Sequence, residues 1–88
     1  MWVKGSPKRV VYKYPVSHNQ SMPVKFQILR AGHQNGQPFL WILVDKEQPE
    51  EIVHFHTFGT GQDVPENAVY VGGYSEPPFE WHVFQVFK

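Results

Sequence analysis

Hydrophobic and polar side chains alternate along most of the chain with a period of two, which is the period of a β-strand. No stretch of ten or more residues has a helical period, so the pattern predicts strands alone. The predicted strands cover residues 9–14, 25–33, 38–45, 52–58, 68–74 and 79–87. Simple alternation in the second of these strands places Phe26, Ile28 and Arg30 on one side.

Glycine and proline residues separate the predicted strands at intervals of roughly ten residues, which is typical of an all-β domain. Asn35-Gly36 predicts a type I′ hairpin, because both central positions of that turn need positive φ. The returning strand, 38–45, is apolar on both faces, so we predict that it lies in the middle of a sheet. Gly72-Gly73 predicts a β-bulge or a close approach of two backbones.

The length of the chain, 88 residues, is that of one small domain. We predict a single all-β domain over residues 1–88, with five to seven mostly antiparallel strands forming a meander, a sandwich or a partly open barrel. Residues 1–8 are predicted to be a flexible N-terminal segment. A core this small stabilises a fold only weakly and the formal net charge is zero, so we also expect a homo-oligomer.

Composition argues against several classes of function. Eight Lys and Arg residues are balanced by eight Asp and Glu residues, so no basic excess exists to bind a nucleic-acid polymer or an acidic membrane surface. The absence of cysteine excludes disulfides, thiolate metal sites and thiol catalysis. We expect no signal peptide and no membrane span, since the N-terminus lacks an apolar segment and the longest apolar run has six residues.

A series of short motifs runs through the chain. They are Lys13-Tyr14-Pro15-Val16, Gln20, Met22-Pro23, Gln34-Asn35-Gly36, Leu40-Trp41, Val44-Asp45, Gly59-Thr60-Gly61, Tyr70-Val71-Gly72 and His82-Val83-Phe84. In their order and spacing, from about residue 11 to residue 85, they resemble an uncharacterised family of short bacteriophage and prophage proteins. Each motif alone is weak evidence for the family, but the order and spacing of all the motifs together are specific to it.

This resemblance implies a phage origin, a site of action in the host cell cytoplasm and an accessory role without catalysis. Some phage proteins of this size form homo-oligomers that sequester nucleotide immune signals, which is an analogy of size and source. We therefore expect a non-catalytic protein that sequesters a host signal of the ADP-ribose or cyclic-nucleotide type. The alternative is an inhibitor that binds a host defence protein through an exposed strand edge.

Cationic and aromatic residues supply the main candidates for binding such a ligand. Lys13, Arg30 and Arg9 are the candidate phosphate partners, because ammonium and guanidinium groups match phosphate oxygens, and we favour Lys13 and Arg30. Trp41 or Trp81 is the candidate platform for a base. A core position is the commoner role for each tryptophan, and a solvated strand position is the commoner role for each cation.

Turn and polar residues complete the candidate site. The backbone of Gly59, Thr60 and Gly61 is predicted to bind an anion, or to be a tight turn with positive φ and no ligand. Gln20, Thr60 and His82 are expected to orient the ligand. A concave pocket is difficult to form inside so small a domain, so we expect the ligand to lie between subunits.

Two histidines support a third hypothesis. His54 and His56 are two residues apart in a predicted strand, so their side chains share one face. With His82 and either Glu80 or Asp63 they could hold a metal for phosphodiester hydrolysis. No metalloprotease spacing and no serine nucleophile motif accompanies them. We therefore expect no metal, no cofactor and no turnover, and keep the metal-dependent phosphodiesterase as an alternative.

Overall fold

The computed structural model describes residues 8–87 and has seven β-strands with no helix in that range. The strands are β1 (Arg9–Pro15), β2 (Gln20–Pro23), β3 (Phe26–Gln34), β4 (Gln37–Asp45), β5 (Glu50–Gly59), β6 (Val69–Glu76) and β7 (Phe79–Val86). The all-β prediction is confirmed; β2, with four residues, is too short to show a period in the sequence. The flexible segment predicted at residues 1–8 lies outside the described residues, apart from Lys8.

All strand pairs are antiparallel, and they form two sheets. The first sheet has the order β1-β4-β3, and the second sheet has the order β2-β5-β7-β6. The sheets pack face to face around one core as a sandwich that is not closed into a barrel. β4 is central in the first sheet, which confirms the prediction from its two apolar faces. Residues 8–87 contain no helix that is long and apolar enough to cross a membrane.

The core lies between the inner faces of the two sheets. Leu40, Ile42 and Val44 alternate along β4 and are fully buried, as expected for the inward half of a strand. Phe55 of β5 is the largest fully buried side chain opposite them. The buried hydrophobic side chains are Met22, Leu40, Ile42, Val44, Val53, Phe55, Phe58 and Val83, and no polar or charged residue in 8–87 is buried. Both candidate tryptophans are therefore outside the fully buried core.

The hairpin between β3 and β4 has the predicted turn. The φ angle is 53° at Asn35 and 77° at Gly36, so both central residues have the positive φ of a type I′ turn. Gln34 pairs with Gln37 across it. This turn sets the register of the two strands that carry much of the candidate site.

Gly72 lies at a β-bulge and at a close approach of two strands, the two features that Gly72-Gly73 predicted. The register of β6 shifts between Tyr70 and Gly72, which is a bulge. A Cβ atom at position 72 would lie 3.0 Å from the Cβ of Ala31 in β3. The edge strands of the two sheets approach so closely here that only glycine fits without a shift.

One sequence prediction is wrong, and it concerns the side of the sheet that Arg30 occupies. Ile28 pairs with Ile42, but the next pairing is Arg30 with Trp41, so Leu29 is an extra residue in β3. This bulge reverses the alternation after Ile28. Arg30 therefore lies on the outer face, not beside Ile28 on the inner one.

Candidate functional site

The outer face of the first sheet brings three predicted ligand-binding residues into one row. Lys13 of β1 is opposite Trp41 of β4, and Arg30 of β3 is opposite Trp41 on its other side. Both neighbours of Trp41 in β4 are fully buried, so Trp41 itself faces away from the core. The bulge in β3 is what brings Arg30 into this row.

Cations lie over aromatic rings on this surface, which we call the cationic face: Lys13, Arg30, Gln34, Phe39 and Trp41. The Cζ atom of Arg30 is 4.5 Å from the ring centre of Trp41, and Nζ of Lys13 is 4.7 Å from the ring centre of Phe39. Lys13 Nζ also donates a hydrogen bond of 2.7 Å to Gln34 Oε1. Among the described residues neither cation forms a salt bridge, so both charges can be offered to an anion.

A glycine lets Trp41 lie across the sheet. A Cβ atom on Gly32 of β3 would be 3.2 Å from Cζ3 of the Trp41 ring. The ring therefore occupies the space that a side chain at position 32 would take. This contact holds Trp41 beneath the Arg30 guanidinium.

Two further candidate residues, Gly59 and Trp81, meet at the end of the second sheet. They belong to a surface that we call the acidic face: Gly59, Glu76, Phe79, Glu80 and Trp81. Gly59 pairs with Trp81, and a Cβ atom at position 59 would be 3.2 Å from the Trp81 ring. The Trp81 Nε1–H group donates a hydrogen bond of 3.2 Å to Glu76 Oε1. An open depression of about 370 Å³ lies on the acidic face. Another, of about 240 Å³, lies beside Arg9 of the first sheet.

Two carboxylates give the acidic face its electrostatic character. Glu76 accepts the hydrogen bond of Trp81, and Glu80, which lines the depression, accepts one from the Ser75 hydroxyl. A phosphate placed in this depression would meet negative charge. Local charge thus makes the cationic face the better surface for an anionic ligand.

Backbone and side-chain groups in the turn at the end of β5 form hydrogen bonds with one another. Gly61 has a φ of 94°, which confirms the predicted positive-φ turn. The Gly59 N–H group donates to the Gln62 side chain, and the Gln62 N–H group donates back to Gly59 O at 3.1 Å. Thr60 Oγ1 lies 3.0 Å from His82 Nε2. These contacts bring Thr60 and His82 together and engage the Gly59 N–H group inside the protein.

Gln20 is not joined to either face. It begins β2, at the edge of the second sheet, and pairs with Val53. Its side-chain amide donates a long hydrogen bond of 3.5 Å to the Ser21 carbonyl. The proposed orienting role of Gln20 therefore has no geometric support from the cationic face.

The histidines are arranged differently from the predicted metal set. His54 and His56 share the outer face of β5, but the close partner of His56 is His18, with 2.9 Å between His56 Nδ1 and His18 Nε2. His82 contacts Thr60 instead, and His54 Nδ1 is buried without a hydrogen-bond partner. No three potential metal ligands of residues 8–87 are grouped together. Burial first, and then the charge of His18, lower the pKa of His56.

Comparison with known families finds a match that includes the residues of both the cationic face and the acidic face. Residues 7–88 match the family described as Domain of unknown function (DUF7352). The chain belongs to this family. The expected membership of an uncharacterised family is thereby confirmed, while the phage origin of this DUF7352 protein stays a prediction. No curated protein and no solved structure matches it.

The sequence analysis of this DUF7352 chain missed several residues that shape its surfaces. Phe39 and Gln34 contact Lys13, Gly32 supports Trp41, and His18 contacts His56. One signal was present: the Phe-x-Trp pattern occurs twice, at Phe39 and at Phe79, and each tryptophan lies against a glycine. His18 carries no such signal, because its partner is 38 residues away.

Proposed function

We propose that this DUF7352 protein is a non-catalytic binding protein that sequesters a nucleotide-derived host signal on its cationic face. The observation that supports this most is the row Lys13–Trp41–Arg30, in register on an outward sheet surface. It joins two cations, which form no salt bridge with any residue of 8–87, to two aromatic rings in one patch. A nucleotide needs both kinds of group, since it has phosphates and a flat base.

Each group on the cationic face has a defined part in this proposal. Arg30 and Lys13 bind phosphate oxygens, with the planar guanidinium of Arg30 able to make two parallel hydrogen bonds. Because Arg30 lies over Trp41 and Lys13 lies over Phe39, the base stacks on the part of either ring that its cation leaves exposed. Sequestration depends on affinity alone, so no catalytic group is required.

Assembly belongs to the same proposal. A sheet face is flat and encloses little of a ligand, whereas small-molecule sites bury most of the ligand surface. A second copy of the chain, placed against the cationic face, would supply the missing wall. The ligand would then be an ADP-ribose-like molecule or a cyclic nucleotide held in the host cytoplasm by a homo-oligomer.

Isothermal titration calorimetry tests the ligand and the surface together. We expect ADP-ribose or a cyclic dinucleotide to bind the wild-type protein. Arg30→Gln or Lys13→Gln should weaken binding ten- to hundredfold, about 1.5–3 kcal/mol per lost charge-assisted contact. Lys46→Gln is the matched control, because Lys46 is an exposed cation outside the cationic face. Equal weakening by Lys46→Gln, or no binding across the panel, would overturn the proposal.

The fate of the ligand distinguishes sequestration from hydrolysis. Chromatography of the ligand after overnight incubation should return it unchanged. Thermal unfolding should shift upward, since a ligand at a hundred times its dissociation constant adds roughly 2.7 kcal/mol of stability. Cleavage that depends on added metal would instead favour the phosphodiesterase hypothesis.

A second candidate function, inhibition of a host protein, is favoured by the free edge of β1. Val16 N–H donates to Pro38 O, and Lys46 N–H donates to Lys8 O, so even-numbered residues of β1 bond to β4. Odd-numbered residues therefore direct their backbone groups outward. Val11→Pro would remove one outward N–H group and block strand addition there. Loss of a co-purified host protein in Val11→Pro, with nucleotide binding unchanged, would support this candidate.

A further inference from the structure

Two histidines from distant parts of the chain meet on the outer face of the second sheet. His18 lies in the connection between β1 and β2, and His56 lies in β5. The connection is fixed to β5 by a hydrogen bond of 2.9 Å from Phe55 N–H to Ser17 O. His56 is held by an edge-on contact with Phe58, whose ring centre is 4.6 Å away. Both imidazoles are thus positioned by their surroundings.

The distance between the facing nitrogens decides what this pair can bind. His18 Nε2 and His56 Nδ1 are 2.9 Å apart. Two imidazole nitrogens bonded at right angles to one metal, with bonds of about 2.0–2.1 Å, are about 2.8–3.0 Å apart. Tetrahedral angles would require about 3.3–3.4 Å. In its nitrogen–nitrogen distance the pair therefore fits adjacent positions of a tetragonal Cu²⁺ or Ni²⁺ site better than a tetrahedral one.

The surroundings of the pair suit metal binding as well. Each of the two facing nitrogens has the other as its hydrogen-bond partner in the described structure, so a metal would replace one internal contact. His18 is exposed, which leaves room for water on the metal.

We propose that His18 Nε2 and His56 Nδ1 form a two-imidazole site for Cu²⁺ or Ni²⁺, with the remaining positions open to water or to a small ligand. This site differs from the His54, His56 and His82 set considered from the sequence, since His82 contacts Thr60. It lies on the second sheet, whereas the cationic face lies on the first. The site is therefore independent of the proposed nucleotide function.

Copper titration of the untagged protein tests the site. We expect one equivalent of Cu²⁺ to bind, with an electron paramagnetic resonance spectrum that shows coupling to two imidazole nitrogens. His18→Gln should weaken binding by at least about tenfold, because the loss of even an outer-shell partner of a metal costs 10- to 100-fold. Its position is exposed, so the fold should be kept, and circular dichroism checks this.

Matched variants make the result decisive. His33→Gln removes a different exposed histidine, which packs on Tyr74, and should leave copper affinity unchanged. His56→Gln should weaken binding as His18→Gln does. Unchanged copper affinity in His18→Gln, or no saturable binding by the wild-type protein, would overturn the proposal.

Discussion

At the scale of single residues, glycines determine where large side chains can lie. Gly32 and Gly59 each sit against a tryptophan ring, whereas Gly72 sits against the backbone and Cβ of Ala31. A ring edge can move by a few tenths of an ångström more easily than a neighbouring strand can. The same substitution should therefore have different consequences at these positions.

We predict that Gly72→Ala destabilises the protein by about 1–3 kcal/mol, the usual effect of overpacking. The added Cβ would be 3.0 Å from Ala31 Cβ and 3.5 Å from Ala31 N, so the two sheets must separate. Gly32→Ala should cost less, because the end of the Trp41 side chain can shift. Urea denaturation of both variants makes the comparison, and equal destabilisation would contradict it.

Two tyrosines should affect stability at alkaline pH. Burial first, and then the charges of Glu50 and Tyr12, raise the pKa of Tyr14. Burial first, and then the charge of Glu76, raise the pKa of Tyr74. A phenol whose pKa is raised by folding contributes stability that is present below pH about 10 and lost as pH rises through the folded value.

The expected outcome is a fall in the urea midpoint above pH about 10. Tyr14→Phe and Tyr74→Phe should each make this fall shallower, since phenylalanine does not ionise. Tyr70→Phe leaves both shifted phenols in place and serves as the control. A pH profile that is identical in all variants would show that these two groups do not contribute.

At the scale of elements, turns and bulges decide which face each side chain occupies. The type I′ turn fixes the register of β3 and β4, and the bulge at Leu29 then moves Arg30 to the outer face. The first feature is readable from Asn35-Gly36. The second is not, because Leu29 differs in no chemical way from a regular strand residue.

We predict that Gly36→Ala destabilises the protein by roughly 1–2 kcal/mol, the cost of a left-handed conformation with a Cβ. No atom lies within 4 Å of the added Cβ, so the effect would come from backbone strain alone at φ 77°. Asn35→Gly should be nearly neutral, since glycine adopts the same φ without strain. Thermal unfolding of both variants checks this, and a neutral Gly36→Ala would contradict it.

At the scale of the whole molecule, and in addition to the cationic face of the first sheet, the outer face of the second sheet offers a surface for assembly. Ile52 and Tyr70 are 57% and 59% exposed there, and Phe84 lies between Tyr70 and His56. Exposed apolar side chains that share one sheet face make that face a candidate interface between copies of the chain. A net charge of zero does not oppose association of copies.

We predict a dimer or a higher closed oligomer at micromolar concentration in sedimentation experiments. Tyr70→Lys should shift the distribution towards the monomer, because a charge on an apolar interface must be desolvated. Val64→Lys is the matched control, since Val64 is an exposed apolar residue in the connection between β5 and β6, outside both sheet faces. A wild-type monomer would contradict the expectation.

The sequence by itself determined the features that depend on neighbouring residues. The period of two determined the all-β class, Asn35-Gly36 determined a hairpin, and the two apolar faces of β4 determined its central place. The period of two, turn chemistry and an apolar pattern on both faces of a strand are local properties, so a short window of sequence contains them.

Only the tertiary structure decided which candidate residues meet. It placed Lys13, Trp41 and Arg30 in one row, put Trp81 beside carboxylates, and paired His56 with His18 in place of His82. These contacts join strands that are distant in sequence, and a single bulge reverses every side chain after it. The composition of the site was therefore visible in the chain, but its division into a cationic face, an acidic face and a histidine pair depends on how the two sheets are paired and packed.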